Sequence, residues 1–282
     1  MRGHGDGKFG VVRVAWAFLG AAGLVLSLAP TSARADSLLA VCKDAGEPFA
    51  TVEAAGARDG ATIRLVDGRE LRIAGVIAAN DLDGDAEAVR RATAALDALV
   101  AGKRLALHGK LDTKDRYGRI VAQVALAEAP RWIAAELVAA GMLRVAPEAG
   151  EPACADALQT HERSARAAKL GFWAELGFAV QDAQAIEALS AARGRFAIVE
   201  GAVLRVGESG GRTFLDFGRR YTQDFTIVVP RAAQSAFQAA GIELKAMRGK
   251  RVRVRGVLYS FGGPAIEVRL PAALEVLSGE KT

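Results

Sequence analysis

Arg251, Arg253 and Arg255 alternate with Val252 and Val254, a spacing that places three guanidinium groups on one face of an extended strand. With Arg248 and Lys250 close by, such a row could track a phosphate backbone; the competing reading is a solvated strand face. Arg219, Arg220 and Tyr221 make a second candidate contact, in a stretch that reads as a loop. Asp81, Asp83 and Asp85 imitate the opening of a calcium loop, but the glycine needed next is Ala86 and the closing bidentate glutamate is Ala92. Their plainer reading is a solvated acidic loop, with Asp85 and Glu87 favouring a helix N-terminus through its dipole. His108 ends a strand-like run and His161 lies beside Glu162 and Arg163, so both read as structural residues, not a catalytic pair.

The elements that would position these groups follow from periodicity. Thr62 to Val66 and Arg69 to Val76 are apolar at alternate positions around Asp67-Gly68, a hairpin signal. Val89, Ala92, Leu96, Leu99 and Val100 share one helical face that Gly102 ends. Leu105 to Leu107 and Ile120 to Leu126 read as strands, Arg131 to Ala140 as a helix closed by Gly141, and Ala155 to Leu170 as a third helix. That order fits a small barrel with helices packed across it.

Ala174 to Arg193 is rich in helix formers and ends at Gly194, which reads as a helical connection. Beyond it come strands at Ala197 to Val206, Thr213 to Phe217 and Asp224 to Val229, a helix at Arg231 to Ala240, and strands at Arg251 to Tyr259 and Ala265 to Leu270. Three strands, a helix and two strands is the order of an OB-fold barrel. The fold class expected is mainly β with α (α+β), in two small barrels. The organisation expected is a signal peptide at 1–35, a first domain at 36–175, a helical linker at 176–194 and a second domain at 195–282.

Asp59-Gly60-Ala61-Thr62, Arg72 leading to Ile77-Ala78-Ala79-Asn80, Asp115-Arg116-Tyr117-Gly118-Arg119, and the helical run with Glu162, Ala165, Ala168, Gly171 and Trp173 occur in one order over residues 50 to 175. Together they resemble the staphylococcal nuclease (thermonuclease) family, whose fold is an OB barrel with helices. Thr213 to Gly218 followed by Asp224-Phe225-Thr226 also resembles, more weakly, the OB-like domain that follows thermonuclease domains in some exported bacterial proteins.

The resemblance implies a phosphodiester-hydrolysing site in which calcium is held by two aspartates, a glutamate activates water and two arginines bind phosphate. Carried over, the arginines fall on Arg72 and Arg119 and are retained. The first aspartate is replaced by Ala61, the second by Ile77 and the glutamate by Asn80. Calcium takes about six to eight oxygen ligands, and loss of a general base alone forfeits about two to four orders of magnitude in rate. Tyr117 matches a residue that stacks on a base, although a tyrosine beside a glycine turn is as readily a packing residue. Gly141 to Ala146 is followed by Pro147-Glu148-Ala149, without the family's aromatic nucleotide contacts.

Residues 1 to 35 carry Arg2, Lys8 and Arg13 before an apolar run from Val14 to Ala29, and small residues frame Ala33-Arg34-Ala35, as in a cleaved export signal. The run is shorter than the roughly 20 residues that span a bilayer, so a periplasmic or extracellular protein with no stable membrane span is expected. Of the net charge of +5, Arg2, Lys8, Arg13 and Arg34 against Asp6 supply +3, leaving +2 for the rest. Global charge thus argues little for nucleic acid. Cys42 and Cys154 suit a disulfide in an oxidising compartment, the alternative being two buried thiols.

The resulting expectation is an exported, catalytically impaired thermonuclease-like protein that binds DNA, RNA or another anionic ligand and takes no cofactor. Two alternatives stand beside it: a calcium-dependent phosphodiesterase using acids near Asp81 to Glu87, and an envelope scaffold for protein partners.

Overall fold

Asp67 and Gly68 reverse the chain between β2 (Thr62–Leu65) and β3 (Glu70–Ile73): Gly68 takes φ +84° and the Asp67 carboxylate accepts the Arg69 N–H at 3.0 Å. The computed structural model describes residues 42, 45–79, 86–110, 113–129, 131–147, 154–175, 178–220 and 222–277, all within one compact unit, Ala35–Thr282. The export signal expected at 1–35, and Asn80, Asp81, Asp83, Asp85 and Tyr221, lie outside the described residues.

β2 and β3 belong to a closed barrel with β1 (Ala50–Asp59), β5 (Arg104–His108) and β6 (Ile120–Leu126), in the order β1-β2-β3-β6-β5. β3 and β6 pair in parallel, with Arg72 beside Val121. The long β1 was not legible in the sequence. It is alanine-rich, and register irregularities between Ala54 and Gly56 and between Ala57 and Asp59 break its alternation. Another unforeseen pair joins β4 (Val76–Ala78) to β7 (Leu143–Val145). Three residues each are too few for a periodic signal.

α1 (Ala86–Val100) crosses the barrel and buries Ala88, Ala92, Leu96 and Val100, on the face its periodicity predicts. Gly60 permits the close approach, because a Cβ there would lie 2.6 Å from that of Ala92 and 2.8 Å from that of Ala78. α2 (Ile133–Ala139) and α3 (Ala155–Ala167) complete this half. Its core includes Ile63, Leu71, Ile73, Leu105, Leu107 and Trp132, whose indole N–H donates to Gln123 Oε1 at 2.9 Å. A disulfide joins Cys42 to Cys154, 112 residues apart with Cα atoms separated by 5.0 Å, and ties the segment before β1 to the start of α3.

The second sheet comprises β8 (Gln181–Asp182), β9 (Phe196–Ala202), β10 (Arg205–Ser209), β11 (Arg212–Asp216), β12 (Thr226–Val229), β13 (Arg251–Phe261), β14 (Gly263–Glu267) and β15 (Leu274–Val276). Its order is β10-β11-β12-β14-β13-β9-β8, with β15 also on β13. Val203 and Leu204 alone separate β9 from β10, which lie towards opposite ends of that order. β12 and β14 pair in parallel, as β3 and β6 do, and α5 (Arg231–Ala239) occupies the place of α1 between the third and fourth strands. The connectivity therefore repeats that of the first barrel.

Among the described residues of the helical linker expected at 176–194, the one α-helix is α4 (Ile186–Ala191). β8 pairs with Val199 and Glu200, and the Asp182 carboxylate takes the Gln184 N–H at 2.8 Å. Ala183 and Leu189 are buried in the second core. Edge pairing and burial outweigh helix propensity here.

Candidate phosphate-binding site

Thr62 lies at the centre of what the resemblance brings together. It is buried, sits opposite Arg72 in the β2–β3 register, and its hydroxyl faces Arg119 Nη1 at 3.3 Å. Arg72 donates from Nη1 to the carbonyls of Ala61 and Ile73, at 2.9 and 3.2 Å, and from Nη2 to that of Val76 at 2.7 Å. Three of its five N–H donors thus fasten the turns after β1 and β3, leaving a reduced fork for a ligand. Burial pushes its guanidinium below the ordinary arginine value; Asp59 opposes that shift, Arg119 adds to it and Asp115 opposes it.

Arg119 is held from the other side by Asp115, whose Oδ2 accepts from Nε and Nη2, both at 2.7 Å. Asp115 Oδ1 takes the backbone N–H groups of Tyr117 and Arg119, at 2.9 and 3.1 Å. Burial raises the Asp115 carboxyl, but these bonds more than offset it and leave it below the ordinary carboxylate value. Local bonding thus forms the whole turn, with Gly118 at φ +79°.

Tyr117 is 67% exposed. The guanidinium carbons of Arg116 and Arg119 lie 4.9 and 5.1 Å from its ring centre, and its hydroxyl accepts from Arg116 Nη2 at 2.8 Å. The turn therefore presents an exposed aromatic ring with two cations against it, residue types suited to a base and its phosphates.

The acidic half of the site is different. Ala61 is buried, and its N–H is taken by Asp59 Oδ1 at 2.8 Å. Ile77 is half-buried on β4, opposite Arg144, and lines an apolar groove with Phe196 and Val257 of the second sheet. Glu87 is exposed and pairs with Arg90 along α1. Among the described residues no group of three or more His, Cys, Asp or Glu side chains could hold a metal, and the nearby carboxylates, Asp59 and Asp115, are engaged by N–H groups. The described residues do not fit calcium.

The arginine row of β13 is engaged by carboxylates, and its burial increases from Arg251 to Arg255. Arg251 Nε donates to Glu200 at 2.8 Å, and Arg253 bonds Glu200 at 2.7 Å and Glu275 at 3.4 Å, its neighbours on the flanking strands β9 and β15. Arg255 is 1% exposed. It donates to Glu162 of α3 at 2.7 Å and to the Val145 carbonyl at 3.2 Å, and also pairs with Glu275. Burial works against its charge, yet Glu162 and Glu275 more than offset that and leave Arg255 above the ordinary arginine value. This face is the seam between the barrel domain and the second sheet, where Gln159 also donates to the Ala272 carbonyl at 2.6 Å and Trp173 packs with Ile198.

Sequence reading missed Glu162 as the partner, although a charge on the same helical face as Leu158 and Ala165 is a signal of a buried ion pair. Elsewhere, Arg219 and Arg220 are exposed, with the Arg220 N–H bonded to Asp224 at 2.6 Å. His108 is buried against the Gly46 carbonyl at 2.8 Å and His161 is half-buried on α3, so the two stay in structural positions.

A closed five-strand barrel crossed by helices, with an arginine-bearing turn beside its third strand, defines a nuclease-type OB domain. The family described as staphylococcal nuclease homologue matches residues 80–175 of the chain. The matched segment contains Asp115 to Arg119 and the α3 to Trp173 stretch; β1 to β4 precede it and complete the same fold. No curated protein matches the chain. Among the described residues no helix is long and apolar enough to cross a membrane.

Proposed function

We propose that this chain is an exported staphylococcal-nuclease-like protein that binds single-stranded nucleic acid without cutting it efficiently. The observation that carries this reading is the exposed Tyr117 ring with Arg116 and Arg119 against it, next to a site where Ala61 and Ile77 offer no ligand for a metal. In a hydrolase, a metal offsets phosphate charge and a carboxylate activates water. Here the retained groups can stack a base and neutralise phosphate, which is sufficient for binding alone.

The test is a pair of measurements on the purified chain: cleavage with added calcium, and affinity for a single-stranded oligonucleotide as a function of salt. Binding that weakens with salt is expected, with cleavage no greater than that of an Arg119→Ala control. Replacing Arg116 and Arg119 by Gln should lower the magnitude of the logarithmic salt slope by about 0.7 for each phosphate no longer neutralised. Arg251→Gln with Arg253→Gln should leave it unchanged, since Glu200 and Glu275 already neutralise those groups. Calcium-dependent cleavage that Arg119→Ala abolishes would instead establish a working nuclease.

A further inference from the structure

The outer face of the second sheet carries a pocket of about 420 Å³, within the roughly 300–1,000 Å³ of small-molecule sites. One wall is the Phe214–Phe261 pair, stacked with ring centres 5.6 Å apart and planes at 15°. Phe261 is 36% exposed, enough to offer an apolar surface to a ligand. The other wall is Arg205, held by Nε and Nη2 on Asp216 Oδ2 at 2.9 and 2.7 Å. Asp216 is itself buried, and its Oδ1 accepts the Thr226 hydroxyl at 3.1 Å. The guanidinium is therefore held in place before any ligand arrives, and its Nη1 has no bonding partner among the described residues.

The space between the walls exists because of one residue. Gly207 lies opposite Phe214 in the β10–β11 register, and a Cβ built there would meet nothing within 4 Å. Its φ is not positive, so no backbone requirement demands glycine. The absent side chain leaves the pocket open.

We propose that this pocket binds a neutral sugar ring of an oligosaccharide. A pyranose has an apolar C–H face, which suits the phenylalanine wall, and an equatorial belt of hydroxyls needing both donors and acceptors. Arg205 Nη1 supplies donors, and the Ser209 hydroxyl both donates and accepts. Charge separates this ligand from nucleic acid. Arg205 is matched by Asp216, and Glu208 by Lys245 at 3.3 Å, so the mouth has no surplus cation to attract phosphate. The pocket is distinct from the Tyr117 turn and its occupancy does not depend on what that turn binds.

The test uses the purified full chain against an immobilised panel of neutral gluco-, manno-, galacto- and N-acetylglucosamine oligosaccharides, with oligothymidylate as a comparison arm. Binding to at least one saccharide class is expected. Phe261→Ala should weaken it by about tenfold, the order of an aromatic stacking contact together with its buried area. Gly207→Leu, which fills open space, should weaken it at least as much while leaving circular dichroism and thermal midpoint unchanged, and Arg119→Ala should have no effect. Failure to bind any member of the panel would overturn the proposal, as would saccharide binding indifferent to both pocket variants. Oligothymidylate binding that is lost in Gly207→Leu and Phe261→Ala, without saccharide binding, would make the pocket a nucleic-acid site and the proposal wrong.

Discussion

Arg255→Leu should be among the most destabilising single changes in the chain. The guanidinium bonds Glu162, Glu275 and the Val145 carbonyl at the seam between the barrel domain and the second sheet. Glu162 is fully buried; once Arg255 is gone it keeps the Val145 N–H at 2.7 Å, while its nearest remaining cation, Arg166, stands 3.8 Å away. Removing one partner of a buried pair costs about 3–5 kcal/mol, because a charge is left uncompensated. Against a whole-domain stability of about 5–15 kcal/mol this is a large fraction. Arg251→Leu is the internal control: its side chain is 60% exposed, and its pair with Glu200 should contribute about 0–1 kcal/mol. Urea unfolding followed by fluorescence and circular dichroism measures both. With a slope of about 2–3 kcal/mol per molar, the Arg255 variant should lose about 1–2 M of midpoint and the Arg251 variant very little. A cycle with Glu162→Leu should show the two losses to be strongly non-additive, the double variant recovering part of the cost. Equal, small effects at Arg255 and Arg251, or simple additivity with Glu162→Leu, would refute a buried ion-pair lock.

Three other outcomes follow from the same geometry. Ala61→Asp, Ile77→Asp and Asn80→Glu together should raise calcium-dependent cleavage while each alone does little, because ligands and base are both missing; a folded triple variant that neither binds calcium nor cleaves would refute the positions assigned to those acids. Reducing the Cys42–Cys154 bond frees a loop of 112 residues, and on the chain-entropy account should cost about 4–5 kcal/mol, read as a lower thermal midpoint with reductant. The Glu200 carboxyl is raised by burial but lowered further by Arg251 and Arg253, and it and Asp115 titrate below their ordinary values of 4.5 and 3.8. Their contribution to stability is therefore complete above those values and is lost as pH falls through the lower, folded ones. Asp115→Asn should accordingly flatten the acid limb of stability against pH, and an unchanged limb would count against the turn as its source.

What the residues determine locally was legible without coordinates. Asp67-Gly68 makes a hairpin because its turn bonds span two residues, α1 shows its buried face through a 3.6-residue period, and Asp115 builds the Arg119 turn from partners within four positions. That Ala61 and Ile77 offer no side-chain oxygen to a metal is legible from their identity alone. Tertiary structure decided the roles of the arginines. The alternation of Arg251, Arg253 and Arg255 correctly puts them on one strand face, but whether that face meets solvent, phosphate or protein depends on what packs over it. α3 supplies Glu162 from 93 residues away, and the flanking strands supply Glu200 and Glu275. A buried charge is stabilised by a partner brought to it by the fold, and strand periodicity holds no information about a helix so distant in the chain. Arg72 is likewise engaged by the carbonyls of Ala61 and Val76, contacts that its residue type alone does not reveal.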